Sequence, residues 1–126
     1  MVIKSHRELE VYKLAFGAAM EIYEFSKSFP VVEKYLLTGQ IRRSSRSVFA
    51  NIAEAYRKRR YEKSFISKFS DAEAESGETQ VWLEFALANQ HTTSEMFENL
   101  YDKYDHILSM LVKMQNNSQQ WTIRFT

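Results

Sequence analysis

The sequence predicts an all-α fold, an antiparallel up-down four-helix bundle, and three observations carry the prediction. Three Gly and one Pro in 126 residues are too few for the tight turns of an all-β chain. A hydrophobic content of 44%, with 14% aromatic residues, suits one packed core and not a disordered chain. Apolar residues recur at alternating spacings of three and four in four successive segments, the signature of helices that bury one face. The length implies a single domain over residues 1–126, with 116–126 as a C-terminal tail.

In the first helix, Leu9, Tyr12, Phe16, Ala19 and Tyr23 form one apolar stripe, opened by a Ser5/Glu8 capping box and ended at Phe29-Pro30. A second stripe of Val11, Leu14, Ala18, Ile22 and Phe25 lies roughly opposite. It is expected to form a subunit interface, the alternatives being a cover by the tail or a wide core face. The second helix, from about Val32 to Arg57, turns Leu37, Ile41, Ser44, Val48, Ile52 and Ala55 inward. The third, from about Glu62 to Gln90, carries Phe65, Phe69, Ala72, Ser76, Thr79, Leu83 and Ala86 in strict four-three alternation. A Thr92/Glu95 capping box opens the fourth, whose seam is Phe97, Leu100, Tyr104, Ile107, Leu111 and Met114. Asn116 and Asn117 terminate it, and Trp121, Ile123 and Phe125 then alternate with polar residues along one edge of the tail. Such a tail either frays, covers its own bundle or docks on a neighbour.

Several chemistries find no support. No Cys is present, which removes disulfides, thiolate metal sites and Cys nucleophiles. A di-metal bundle needs Glu-x-x-His motifs, but Ile3, Ala88 and Lys103 stand three positions before His6, His91 and His106. There is no Gly-x-Ser-x-Gly elbow and no Gly-rich phosphate loop. The run "SDAEAESGE" scatters Asp71, Glu73, Glu75 and Glu78 around the third helix. We therefore expect no enzyme, no catalytic residue, no metal and no cofactor. "MVIKSHRELE" lacks the apolar region of a signal peptide, and no apolar run approaches the roughly 18 residues of a membrane span, so a cytoplasmic protein with no membrane association is expected.

Charge is strongly segregated. Residues 40–68 hold nine Lys and Arg against two acids, a balance of +7, whereas the remainder has eight against fourteen, −6. Within "QIRRSSRSVFANIAEAYRKRR", Arg46, Phe49, Ala53, Tyr56, Arg57 and Arg60 all fall within about 60° of Arg42 on a helical wheel, away from Ile41, Val48 and Ile52. Arginines interleaved with aromatics suit phosphate contact and base stacking on RNA or DNA. The same arginines equally suit pairing with the acidic run of the third helix, within a protomer or across an interface. Asn51 reads as a satisfied core amide, and Glu54 as a partner for Arg43 or Lys58.

Phe29-Pro30, Glu33, Tyr35, Leu37, Gln40-Ile41-Arg42-Arg43, Ser47 and Asn51-Ile52-Ala53-Glu54 together resemble the signature of the four-helix-bundle proteins encoded in intervening sequences of bacterial 23S rRNA genes. That family is in turn similar to the accessory protein of diversity-generating retroelements, and the resemblance runs from about Leu9 to Met114. It implies a cyclic homo-oligomer, a homopentamer, with a basic surface for nucleic acid and, by the retroelement likeness, a reverse transcriptase as a protein partner. Ala55 stands where the family usually has Gly, so the second helix is expected to run longer or to turn differently. Two functions follow. In the first, Arg42, Arg46, Arg57 and Arg60 contact phosphates and Tyr56 stacks on a base. In the second, the chain is a structural or adaptor oligomer whose arginines bind Asp71, Glu75 and Glu78 of the next subunit.

Overall fold

The computed structural model describes residues 3–123, and among these it contains four α-helices and no strand. They are α1 (Glu10–Ser26), α2 (Leu37–Arg57), α3 (Glu62–Ala88) and α4 (Ser94–Asn116). Each helix packs on the next in sequence, and α1 also touches α4. The inward residues expected of α2 and α3 are all buried, as are Leu100, Tyr104, Ile107, Leu111 and Met114 of α4, with Phe97 partly so.

Helix α1 is rotated relative to the expectation, although Leu9 and Ala19 of the first stripe are buried as expected. Val11, Ala18, Ile22 and Phe25 face the protomer's own core, joined by Ala15, so they are not available to another subunit. Only Leu14 of that stripe is exposed. Phe16 and Tyr23, expected inside, are 42% and 38% exposed, and Tyr12 is half-buried. Small Ala15 and Ala18 let α1 approach its neighbours closely, whereas the bulky rings of Tyr12, Phe16 and Tyr23 suit an outer face, where Tyr12 and Phe16 pack on each other and on Phe49.

The connections show why the helices stop where they do. The Ser5/Glu8 capping box is present, but it closes a single 3-10 turn, His6–Glu8, before α1 begins at Glu10. Helix α2 starts five residues later than expected because Val31–Glu33 form a 3-10 turn. At the end of α3, Gln90 takes φ 61°, and the Gln90 and His91 amides donate to the Leu87 and Ala86 carbonyls, a Schellman closure without glycine. That turn delivers His91 Nε2 to Glu33 Oε2 at 3.0 Å and its ring to Phe29, fastening the α3–α4 corner to the α1–α2 corner. Thr93, not Thr92, caps α4 by accepting from the Met96 amide.

The opposite end is fastened by the termini. Tyr56 donates to the Ile3 carbonyl, and the Ile123 amide donates to the Arg59 carbonyl at 3.0 Å. Trp121 packs half-buried against the core, so the described part of the tail covers its own chain; Phe125 lies outside the described residues. Asn51 is half-buried and, as expected, satisfied by a backbone carbonyl, that of Ser47 one turn back.

Candidate nucleic-acid interface

The outer face of α2 is where the arginines were expected, and the structure divides them into three groups with different surroundings. Arg42 is half-buried: its Nε donates to Ser26 Oγ at 2.7 Å, and its guanidinium reaches the Tyr23 carbonyl and lies 4.7 Å from the Tyr23 ring centre. It therefore ties α2 to the last turn of α1, where unpaired carbonyls favour a cation. Arg46, one turn further on, is exposed and stands 5.9 Å from the same ring. Lys27 Nζ approaches it at 4.9 Å. Three cations thus surround one partly exposed tyrosine. Around Arg42 and Arg46 a shallow hollow of about 490 Å³ stays open because Gly39, Ser47 and Ala50 are small.

Arg43 also lines this hollow, but its guanidinium turns to the acids of α3. It binds Glu75 at 3.2 Å and also Glu78, and these carboxylates hold its guanidinium pKa above the ordinary value. Two of the three acids expected to serve a neighbouring subunit are thus engaged within the chain. Glu54, expected to meet Arg43 or Lys58, instead pairs with Lys68 at 2.8 Å, which raises the Lys68 pKa. Among the described residues, neither Arg42, Arg46 nor Arg57 has a carboxylate within salt-bridge reach.

Arg57 and Arg60 lie at and beyond the far end of the helix, both exposed, with Arg57 roughly 22 Å along α2 from Arg42 at 1.5 Å per residue. Tyr56, expected to stack on a base, is buried. Its hydroxyl is bound to Ile3, and its face is covered by the Arg59 guanidinium at 3.7 Å. The helical angle of Tyr56 is as expected, but the folded-back N-terminal segment and Arg59 close over the ring. The aromatics that do lie between the basic groups are Tyr12, Phe16 and Phe49, with ring centres 5.0 to 6.1 Å apart. Phe16, Tyr23 and Lys27 escape a reading of the sequence, because periodicity assigns the stripe that carries both rings to the core. Among the described residues no helix is long and apolar enough to cross a membrane, and no three His, Asp or Glu side chains are placed to share a metal ion.

Comparison with known proteins gives the chain its family. The model of the 23S rRNA-intervening sequence protein family matches residues 7–113. A crystal structure of a protein of unknown function from the S23 ribosomal protein family of Bacteroides thetaiotaomicron is similar at 30% identity and a TM-score of 0.75. The match covers 83% of this chain and 97% of that one. No curated protein matches the sequence. The signature on α2 and the family match over most of the chain agree, and the chain belongs to the 23S rRNA-intervening sequence protein family.

Proposed function

We propose that the chain is an antiparallel up-down bundle that assembles into a closed homo-oligomer, a pentamer by the family resemblance, and acts as a non-enzymatic, cytoplasmic nucleic-acid-binding accessory protein. The observation that carries this reading is the convergence of Arg42, Arg46 and Lys27 on the Tyr23 ring, with Phe16 exposed on the same helix and no carboxylate neutralising Arg42 or Arg46 among the described residues. Guanidinium groups supply phosphate contacts, and a partly exposed ring supplies a stacking surface tolerant of any base. Arg57 and Arg60 extend the basic track, and repetition around an oligomer turns weak sites into usable avidity.

The adaptor reading keeps the oligomer and assigns the arginines to subunit contacts. Salt dependence separates the two. The wild-type protein is expected to retain single-stranded RNA at low salt, with the logarithm of affinity falling against the logarithm of salt by about 0.7 per phosphate neutralised. A protein that retains neither RNA nor single-stranded DNA at low salt leaves the adaptor reading standing.

A further inference from the structure

Beside the Tyr23 ring, the hollow on α2 holds hydrogen-bond donors that the chain itself does not use. Arg46 is exposed and, among the described residues, makes no hydrogen bond and meets no carboxylate. Arg42 donates from Nε and Nη2 to Ser26 and Tyr23 of α1, which fixes its guanidinium at the hollow and leaves Nη1 unused. The Ser47 hydroxyl, half-buried in the lining, is also without a partner among the described residues. The other cations nearby are taken: Arg43 by Gln40, Glu75 and Glu78, and Lys27 by Glu24.

These donors suit one kind of phosphate better than another. A phosphodiester inside a strand carries a single charge and two free oxygens, whereas a terminal phosphate carries about −1.5 to −2 and three acceptor oxygens. Two guanidinium groups without a carboxylate, joined by a hydroxyl around one hollow, match the second. The basic track also ends here. From Arg60 and Arg57 it runs back along α2, past Phe49 and Phe16, to Arg46 and Arg42, and no residue from Leu37 to Ile41 is basic. On that side the backbone of the α1–α2 corner bounds the hollow, the Lys34 carbonyl lying 3.5 Å from where a Gly39 side chain would begin. The Lys34 ammonium itself lies over the neighbouring Tyr35 ring. A carbonyl oxygen repels the next phosphate of a strand that continues and is no obstacle to one that stops.

We propose that the hollow is a subsite for the terminal phosphate of a single-stranded nucleic acid, with Arg42, Arg46 and Ser47 on the phosphate oxygens and the terminal base against the exposed part of Tyr23. The rest of the strand leads away past Phe16 and Phe49 toward Arg57 and Arg60. A phosphate at either end of a strand has this chemistry, so the site reads the presence of a phosphorylated end and not a base sequence. The inference rests on the nucleic-acid part of the proposed function, which it narrows from strands in general to strands that end at the site.

Single-stranded RNAs of one sequence, internally labelled and carrying a 5′-phosphate, a 3′-phosphate or hydroxyls at both ends, are titrated against the full-length protein at low salt. At least one phosphorylated RNA is expected to bind about tenfold tighter than the hydroxyl-ended one, and the larger gain names the end. Ala50→Leu fills the hollow without altering a charge, at an exposed position where leucine suits a helix. In that variant the phosphorylated RNA is expected to fall to the affinity of the hydroxyl-ended one. Equal affinities of wild type for all three RNAs overturn the subsite and leave the nucleic-acid reading standing, whereas retention of none of them overturns that reading itself. A gain that survives Ala50→Leu is a general effect of added charge and also overturns the subsite. Should Ala50→Leu misfold, Ser47→Ala removes one donor and no charge and is expected to lower the gain several-fold; an unchanged gain counts against the assignment.

Discussion

Arg42→Glu combined with Arg46→Glu is expected to abolish retention of single-stranded RNA at low salt while leaving the oligomer whole. The two guanidinium groups lie 4.7 and 5.9 Å from the Tyr23 ring centre, so the exchange places two negative charges where phosphates are to sit. The two positions are not equivalent. Arg42 also binds Ser26 Oγ and the Tyr23 carbonyl, and hydrogen bonds to a charged group contribute about 1.5–3 kcal/mol, so its loss lowers stability as well as affinity. Arg46 is exposed and touches the ring from further out, so Arg46→Glu alone is the cleaner measurement. Its melting is expected to match wild type, and its salt slope to flatten by about 0.7 for each protomer that engages RNA. If either variant falls apart into protomers with its fold intact, the arginines hold subunits together and the adaptor reading is correct.

Tyr104→Phe is expected to stabilise the chain. Tyr104 is fully buried, and among the described residues its hydroxyl has no hydrogen-bond partner. Leaving a buried polar group unsatisfied costs about 1–3 kcal/mol, and the phenylalanine ring fills the same space without that cost. At this chain length the gain corresponds to a rise in Tm of about 4 °C per kcal/mol. The effect also depends on pH. Burial first, and the Glu21 carboxylate second, hold the phenol protonated well above its ordinary range. The folded chain therefore keeps a proton that the unfolded chain releases above about pH 10, and stability present below that pH is lost as pH rises. A phenylalanine ring has no proton to release, so the advantage of the variant widens above about pH 10. Denaturant melts on either side of that pH check both parts, and a Tyr104→Phe chain less stable than wild type at neutral pH shows that the hydroxyl is satisfied after all.

The helices that present one apolar stripe were legible in the sequence. In α2 and α3 the spacing singles out Ile41, Val48, Ile52, Phe65, Phe69 and Leu83, and all are buried. Helix α1 carries two stripes of similar period, 9-12-16-19-23 and 11-14-18-22-25, and periodicity alone cannot rank them. Packing buried most of the second, with Ala15 in place of Leu14, together with Leu9 and Ala19 of the first. The basic face was legible as a helical angle and a charge balance, which place Arg42 and Arg46 together. What covers Tyr56 was not, because Ile3 lies 53 residues away in sequence. Nor was the pairing of Arg43 with Glu75 and Glu78, whose separations of 32 and 35 residues exceed any local rule. The late start of α2 goes with the Glu33–His91 bond, a contact across 58 residues.

Photo-crosslinking of a single-stranded RNA to the assembled full-length protein, followed by peptide mass spectrometry, locates the RNA on the protein surface. Cleavage at Lys13 and Lys27 releases residues 14–27 as one peptide holding both Phe16 and Tyr23. This peptide is expected to carry the main crosslink, which fades as salt rises and is lost in Arg46→Glu. Crosslinks confined to α3 or α4, with residues 14–27 unmarked and the Arg46→Glu pattern unchanged, would contradict this placement of the RNA.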